Sequence, residues 1–236
     1  MLHFKVRFSA IPQGYIMLLH INKTLARLFP NKALKYKAYK SLIENENSFL
    51  YKTGWMQSLG GKKPLDGEGN IIPWMNYPVV NLLKNKLTRD LVLFEYGSGY
   101  STLFYAERVK EVVSVEYDEE WFNLMSVLLP SNARVVFKAV DVAGDYCRVV
   151  SSTKMLYDLV IVDGRDRVNC VKESMSCLSE KGVVLLDDTH RERYKDAFNY
   201  ALSEGYNFLD LEGFKATGPG LFRTTIFYRD GNCLGL

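Results

Sequence analysis

Short hydrophobic runs alternate along this chain with segments whose hydrophobic positions recur at helical spacing. The first five runs are rich in Val, Leu and Ile, which is typical of strands buried on both faces of a sheet. The last two are more polar. The predicted strands are Leu91–Tyr96, Val112–Glu116, Arg134–Val140, Leu159–Asp163, Val183–Asp187, Asn207–Leu211 and Thr224–Tyr228.

Helical periodicity fills the intervals between these runs. Within residues 191–204 the hydrophobic side chains fall at i, i+3, i+4, i+7 and i+8, and Gly205 follows as a stop signal. Alternation of strands and helices with short loops predicts an open, mainly parallel α/β sheet, in which ligands bind beyond the carboxyl ends of the strands. The predicted helices include residues 15–29, 33–46, 78–87, 168–178 and 191–204.

A glycine- and proline-rich loop over residues 58–73 divides the chain. It predicts an N-terminal helical arm, residues 1–72, followed by an α/β domain, residues 73–236. The net charge of +3 is unevenly spread, because residues 1–63 carry 11 Lys or Arg and only 2 Asp or Glu. These basic residues are scattered singly among hydrophobic ones. That pattern favours a solvated helical face over a nucleic-acid-binding surface.

Composition excludes several classes of protein. With 47% hydrophobic and 24% charged residues, the 236-residue chain is expected to be globular rather than disordered. It has no apolar run of about 20 residues and no signal-peptide pattern, which predicts a cytoplasmic protein without a transmembrane segment. Four cysteines without a Cys-x-x-Cys pair and three histidines make a disulfide scaffold or a multi-histidine zinc site improbable.

The most informative motif, Glu95-Tyr-Gly-Ser-Gly-Tyr-Ser-Thr102, directly follows the first predicted strand and opens a helix. Gly97 and Gly99 permit a tight turn and a close approach of the backbone to a ligand. The next strand ends at Glu116, 19 residues after Gly97, a spacing at which a carboxylate reaches ribose hydroxyls. The motif therefore predicts a nucleoside site.

Two residues of this motif indicate which kind of nucleoside ligand it would bind. Thr102 occupies the place of the third glycine in the dinucleotide fingerprint, and Glu95 adds a carboxylate near the loop. A carboxylate disfavours a pyrophosphate and suits a positively charged ligand. S-adenosylmethionine (SAM) carries an ammonium and a sulfonium, so it fits better than NAD.

Four segments together resemble the class I SAM-dependent methyltransferases, particularly their small-molecule O-methyltransferase branch: EYGSGYSTLFYA (95–106), VVSVEYD (112–118), YDLVIVDG (157–164) and GVVLLDD (182–188). The resemblance spans roughly residues 76–230. It implies a Rossmann-like sheet of seven strands with helices on both faces, the last strand antiparallel, and SAM as the cofactor. The cofactor-binding residues it implies are Glu95, Gly97, Ser98, Gly99, Ser101 and Thr102 in the loop, Glu116 for the ribose, Tyr117 and Asp141 for the adenine (with Asp145 as competitor), and Asp163.

Two acidic clusters follow predicted strands, Asp163-Gly-Arg-Asp-Arg167 and Asp187-Asp-Thr-His190. In the metal-dependent members of the resembled family, positions matching Asp163 and Asp188 bind a divalent cation together with an asparagine. Here Thr189 replaces the asparagine and Arg165 adds positive charge, so metal is disfavoured. Asp163 and Asp188 remain candidate catalytic residues. Without metal, His190 is the candidate general base because its unperturbed pKa lies near neutrality.

The segment preceding the sheet is expected, by analogy, to border the acceptor site. Its candidate substrate contacts are Trp74, Asn76 and Tyr77, joined by Arg165 from the loop after the fourth strand; the alternative is that Trp74 and Tyr77 only pack the arm onto the sheet.

The sequence therefore predicts a SAM-dependent methyltransferase acting on oxygen of a small-molecule or saccharide-like acceptor. The arm would form a cap or a homodimer contact. An aminopropyltransferase-like enzyme and a non-catalytic nucleoside-binding module stay open as alternatives. A nucleic-acid substrate is disfavoured because no Asn-Pro-Pro-Tyr-like element is present.

Overall fold

The structure, a computed structural model, describes residues 29–61, 63–216 and 218–236. It divides into two compact units, one ending at Tyr51 and the other running from Lys52 to Leu236. This division lies upstream of the boundary expected at residues 72 and 73, and the role of residues 1–72 as a cap or dimer contact stays a prediction. The helix predicted over residues 15–29 falls, up to residue 28, outside the described residues.

The helix predicted over residues 33–46 is present, and its ends differ from the prediction. Helix α1, Pro30–Tyr39, begins at a proline, whose missing N–H costs nothing at the first helical position. A π-helical turn, Lys40–Glu44, follows directly. A short helix α2, Phe49–Lys52, comes next, and Ser48 Oγ donates to the Leu42 carbonyl at 2.8 Å before it.

Seven strands form a single sheet in the order β3-β2-β1-β4-β5-β7-β6. The first five run parallel to one another, β7 is antiparallel to β5, and β6 pairs antiparallel with β7. This confirms the predicted sheet with a reversed last strand. The strands are β1 Val92–Tyr96, β2 Glu111–Glu116, β3 Ala133–Phe137, β4 Tyr157–Val162, β5 Leu178–Leu186, β6 Asn207–Lys215 and β7 Gly218–Tyr228.

Helices connect the parallel strands. Among the described residues, no helix is long and apolar enough to cross a lipid bilayer. The remaining helices are α3 Trp55–Ser58, α4 Tyr77–Lys86, α5 Tyr100–Ala106, α6 Glu119–Leu128, α7 Asp145–Ser152, α8 Arg167–Met175, a 3₁₀ turn Glu192–Tyr194, and α9 Lys195–Ser203.

Element ends are where the prediction fails. Leu178, assigned above to the face of a helix, instead pairs with Tyr157 at the start of β5. Its i+3 spacing from Met175 fits a helix equally well, so periodicity alone cannot place it. The hairpin of β6 and β7 also extends well past Leu211, which brings Lys215 to the carboxyl-end edge of β5.

Candidate nucleoside and acceptor site

A cavity of about 820 Å³ lies at the carboxyl ends of β1, β2, β4 and β5. That volume is within the usual range for small-molecule sites, and the position is the one expected for an open α/β sheet. Residues of helix α6 close one side of the cavity. Its lining comprises Gly97, Ser98, Glu116, Tyr117, Asp118, Glu120, Trp121, Leu124, Asp163, Gly164, Arg165, Arg167, Asp188 and Arg191.

The glycine loop after β1 is held from two sides. Gly97 has φ +90°, a conformation that favours glycine, and a Cβ there would lie 3.2 Å from Gly164 Cα in the loop after β4. On the other side, Trp121 Nε1 donates to the Ser98 carbonyl at 2.8 Å. The two loops therefore pack backbone against backbone beneath the cavity.

This close packing makes Gly164→Ala a test of the loop arrangement. The added Cβ would overlap Tyr146 Oη and lie 3.0 Å from Gly97 N, so the free energy of unfolding should fall by about 1–3 kcal/mol through overpacking. Urea unfolding measures the change. Gly60→Ala, whose Cβ meets no atom within 4 Å, is the control. Because Tyr146→Phe removes the overlapping hydroxyl, it should recover part of the loss; equal stability of Gly164→Ala and wild type would contradict this packing.

Glu116 lines the cavity, as expected for a ribose ligand, and its carboxylate ties the site together. Oε2 accepts from Ser98 N at 2.9 Å and from Ser98 Oγ at 3.2 Å. Oε1 accepts from the backbone N–H groups of Tyr117 at 2.8 Å and Asp118 at 3.0 Å. The Ser98 hydroxyl is the longest of these contacts and can rotate, so it is the donor that a ligand hydroxyl would replace.

Glu95 lies beneath the loop and does not line the cavity. Its Oε2 accepts from Thr102 Oγ1 at 2.5 Å and Ser114 Oγ at 2.9 Å. Burial raises the pKa of Glu95 to about 8, although both hydroxyl hydrogen bonds oppose the shift. The structure thus places Glu95 as an internal support of the loop and not at the expected methionine-binding position.

The raised pKa of Glu95 predicts a falling stability with rising pH. Between its unfolded pKa near 4.5 and its folded pKa of about 8, the folded state binds more protons, so the free energy of unfolding decreases by at most about 1.4 kcal/mol per pH unit. Glu95→Gln should remove this component and flatten the dependence measured by urea unfolding between pH 5 and 8.5. An unchanged slope in the variant would show that Glu95 ionises normally in the folded protein.

The remaining loop residues are used internally. Thr102, the third residue of α5, accepts from Gly99 N at 2.9 Å through Oγ1 and so satisfies a backbone N–H at the start of the helix. Ser101 Oγ accepts from Trp74 N at 3.0 Å. Gly99, Ser101 and Thr102 are not among the cavity-lining residues, whereas Tyr117 is. Tyr117 Oη accepts from Arg165 at 2.8 Å, and the Arg165 guanidinium lies 5.0 Å from the Tyr117 ring centroid.

Asp141, the expected adenine contact, has a different role. It does not line the cavity, and its carboxylate accepts from Asp145 N at 2.7 Å and Tyr146 N at 2.9 Å in the first turn of α7. These backbone hydrogen bonds lower the pKa of Asp141. Its competitor Asp145 pairs with Lys138 at 2.6 Å instead. Neither carboxylate is placed to contact a ligand in this cavity.

The expected acceptor contacts around the start of α4 are mostly structural. Asn76 is fully buried; its Oδ1 caps α4 by accepting from Val79 N at 3.1 Å, and its Nδ2 donates to the Leu211 carbonyl and to Thr224 Oγ1, both at 3.0 Å. Tyr77 is also buried, and Trp74 is half-exposed outside the cavity lining. Asn76 therefore fastens α4 to the β6–β7 hairpin and cannot reach an acceptor.

Three carboxylates meet where β4 and β5 end. Asp163, Asp187 and Asp188 each bring one oxygen to within 4.8 Å of the others. A buried lysine from the end of β6 lies among them, because Lys215 Nζ is 2.5 Å from Asp187 Oδ2 and 2.7 Å from Asp188 Oδ1. Thr224 Oγ1 also donates to Asp187, at 2.5 Å.

Two arginines complete the charge balance of this cluster. Arg167 donates to Asp163 Oδ1 at 2.8 Å, and Arg191 lies 2.8 Å from Asp188 Oδ2. Three cationic side chains thus face three carboxylates. A divalent ion would have to displace a buried ammonium and would meet two guanidinium groups, so these residues do not fit a divalent cation while Lys215 is in place.

The pKa values of the cluster follow from this arrangement. Burial and the neighbouring Asp187 raise the pKa of Asp163 to about 7, against the opposing effect of Arg167. At Asp188 burial acts in the same direction, but the hydrogen bond and charge of Lys215 outweigh it and lower the pKa. Asp163 lines the cavity, so a carboxyl group with a raised pKa lies where a ligand would bind.

His190 does not lie in the cavity. Its ring packs edge-on against Phe222 of β7, with centroids 5.8 Å apart, and the residue is exposed. The reference pKa of a histidine side chain carries no information about where the residue lies in the fold. The geometry does not support His190 as a base acting on a ligand in this cavity.

Sequence reasoning missed several residues of the site. Lys215 lies beyond the predicted end of its strand, so no local signal marked it. Trp121 lies in the first turn of α6, and Arg191 directly precedes the 3₁₀ turn. In the sequence both resemble ordinary surface residues. Arg167 could have been identified from the sequence, because it belongs to the acidic cluster Asp163-Gly-Arg-Asp-Arg167 after β4.

Comparison with known proteins supports the fold. No family model matches the sequence, and no curated protein matches it. A crystal structure of precorrin-6y C5,15-methyltransferase from Geobacter metallireducens GS-15 superimposes with a TM-score of 0.52 at 14% identity, over 65% of this chain and 87% of that one. At this identity the likeness establishes the shared fold alone.

Two further structures are similar at lower scores. An rRNA methylase from Streptococcus thermophilus gives a TM-score of 0.47 at 13% identity, over 67% of this chain and 100% of that one. A methyltransferase-like protein from Silicibacter pomeroyi gives 0.45 at 22% identity, over 66% and 88%. Neither score is high enough to support a conclusion. Together with the seven-stranded sheet, the first match shows that this chain shares the Rossmann-like fold of that precorrin methyltransferase.

Proposed function

We propose that this chain is a SAM-dependent methyltransferase that transfers a methyl group to a small-molecule acceptor, at oxygen. The observation that carries the proposal is the junction of Ser98 and Glu116: the glycine loop after β1 is hydrogen-bonded to the acidic residue that ends β2, at the edge of a ligand-sized cavity. This is the arrangement that presents backbone to a nucleoside ligand and a carboxylate to its ribose.

The charge on one side of the cavity favours a cationic nucleoside, while Arg165, Arg167 and Arg191 line the side formed by the loops after β4 and β5. Glu116, Asp118 and Glu120 lie together along the side formed by β2 and α6. A pyrophosphate there would face three carboxylates, whereas the sulfonium and ammonium of SAM carry the complementary charge. Tyr117 offers an aromatic face for the adenine, next to the Arg165 guanidinium.

SAM brings an already activated methyl group, so the protein's task is to position the acceptor and to take up its proton. Holding two reactants in alignment supplies much of the rate enhancement for such a displacement. Asp163 lines the cavity with a pKa raised to about 7, which suits a general base for a hydroxyl acceptor. In this proposal Asp163 takes the place foreseen for His190.

Thermal unfolding of the full chain with S-adenosylhomocysteine, SAM, NAD or decarboxylated SAM tests the cofactor. At 100 times its Kd, a ligand adds about 2.7 kcal/mol and raises the Tm by about 5–10 °C. We expect this rise with the first two ligands and no further rise with magnesium. A rise with NAD alone would contradict the proposal. A larger rise with decarboxylated SAM would favour an aminopropyltransferase, and binding without any turnover on hydroxylated acceptors would favour a non-catalytic module.

A further inference from the structure

A second, smaller cleft of about 280 Å³ adjoins the cavity and is lined largely by arginines. It shares Gly164, Arg165, Arg167 and Arg191 with the cavity. The loop after β4 forms one wall, and the segment after β5 forms the other. The complete lining is Gly164, Arg165, Asp166, Arg167, Val168, Arg191, Arg193 and Tyr194.

The cleft carries excess positive charge. Among its lining residues, four are arginines and one, Asp166, is acidic. Arg167 pairs with Asp163 and Arg191 with Asp188, so the excess comes from Arg165 and Arg193. The Asp166 carboxylate is already used to hold the surrounding backbone, since it accepts from Ala143 N at 2.9 Å and from Asn169 Nδ2 at 2.8 Å. It therefore does not neutralise the arginines by direct pairing.

The four arginines divide into one that is structural and three that are accessible. Arg167 is committed to the chain, because it donates to the carbonyl groups of Gly164, Asp163 and Asp187 as well as to the Asp163 carboxylate. The other three, Arg165, Arg191 and Arg193, are exposed.

Each accessible arginine is fixed by one terminal nitrogen. Arg165 donates to Tyr117 Oη at 2.8 Å, Arg191 lies 2.8 Å from Asp188 Oδ2, and Arg193 donates to Tyr194 Oη at 3.0 Å. Within the described part of the chain, their remaining guanidinium N–H groups have no hydrogen-bond partner. Oriented guanidinium groups with N–H donors to spare match the geometry of phosphate and carboxylate oxygens.

We propose that this cleft binds an oxyanionic group, phosphate or carboxylate, of the methyl acceptor. The inference rests on the proposed function and names its substrate class: a hydroxylated small molecule that carries a negative charge. An anion held by Arg165, Arg191 and Arg193 would leave the rest of the acceptor beside Asp163 at the border between cleft and cavity.

Calorimetric titration of the full chain with inorganic phosphate and with acetate, each at constant ionic strength set with chloride and with or without saturating S-adenosylhomocysteine, tests this directly. We expect saturable binding of one or both anions that persists when the nucleoside is bound, and the preferred anion identifies the acceptor's charged group. Arg165→Gln and Arg193→Gln should each weaken it about tenfold or more, because each removes a charge-assisted hydrogen bond to the anion.

Arg229→Gln is the matched control. Arg229 is also exposed, but it follows β7, which runs antiparallel to β5 and so ends at the end of the strands opposite the cleft, and anion binding should be unchanged. All variants are at exposed positions, and measuring their Tm values tests whether they are folded. Absence of saturable binding, or binding that Arg165→Gln and Arg193→Gln leave intact, would overturn the proposal.

The titrations with S-adenosylhomocysteine distinguish a failure of this inference from a failure of the proposed function. Competition between S-adenosylhomocysteine and phosphate would assign the arginines to the carboxylate of the cofactor and overturn the acceptor proposal alone. Anion binding in a protein that fails to bind S-adenosylhomocysteine would leave the anion site standing and contradict the proposed function.

Discussion

Replacing Lys215 by methionine is expected to lower the free energy of unfolding by about 3–5 kcal/mol, because breaking a buried ion pair leaves charge uncompensated. Lys215 Nζ bridges Asp187, which is fully buried, and Asp188, which is 5% exposed. Burial alone would lower the pKa of Lys215, but these carboxylates outweigh burial and raise it, so the ammonium is charged at neutral pH. Methionine is also unbranched and keeps most of the apolar stem of lysine, one atom shorter, while it removes the charge and its hydrogen bonds.

Urea unfolding of wild type, Lys215→Met and Lys181→Met measures this effect. Lys181 is an exposed lysine within β5, and its replacement should change stability by less than about 0.5 kcal/mol. Adding Asp187→Asn to Lys215→Met removes one of the stranded charges and should recover part of the loss. A Lys215→Met protein as stable as wild type would show that the ammonium does not compensate these carboxylates.

The same variant tests the incompatibility with metal. Once Lys215 is removed, the oxygens of Asp163, Asp187 and Asp188 remain close together without their central cation. Hard cations prefer such oxygen donors. We therefore expect magnesium or calcium to raise the Tm of Lys215→Met and to leave that of the wild type unchanged; a magnesium-dependent rise in the wild type would contradict the role given to Lys215.

Glu116→Ala is expected to abolish stabilisation by S-adenosylhomocysteine, a loss of about 2.7 kcal/mol at 100 times the wild-type Kd. The substitution removes the carboxylate proposed to receive the ribose hydroxyls. It also releases the Ser98 N–H, and with it the contact that fixes the glycine loop to the end of β2.

Thermal unfolding with and without ligand separates the two effects. The loss of the loop contact lowers the Tm of the unliganded protein, whereas the loss of binding removes the difference between liganded and unliganded samples. Glu119→Gln, an exposed neighbour in the first turn of α6 that does not line the cavity, is the control and should retain the full ligand shift. A Glu116→Ala protein that keeps the shift would contradict the nucleoside site.

Much of the sheet could be predicted because short hydrophobic runs in the sequence identify most of its strands. Four of the parallel strands, β1, β2, β4 and β5, contain runs rich in Val, Leu and Ile that are mostly buried, as expected when helices cover both faces of a strand. The edge strand β3 is only partly buried. The first and last residues of the strands were harder to predict. Leu178 satisfies the periodicity of a helix and belongs to a strand, because its pairing with Tyr157 is a contact between distant segments.

The fold class, the glycine loop and the acidic residue that ends the second strand can be read from the sequence, because each depends on adjacent residues or on a short fixed spacing. Only the tertiary structure shows which polar side chains form internal hydrogen bonds and which face the cavity. Asn76 and Asp141 cap helices, whereas Lys215 reaches two aspartates 27 and 28 residues earlier in the chain. Such neighbours are set by the closing hairpin of the sheet, and no local pattern records them.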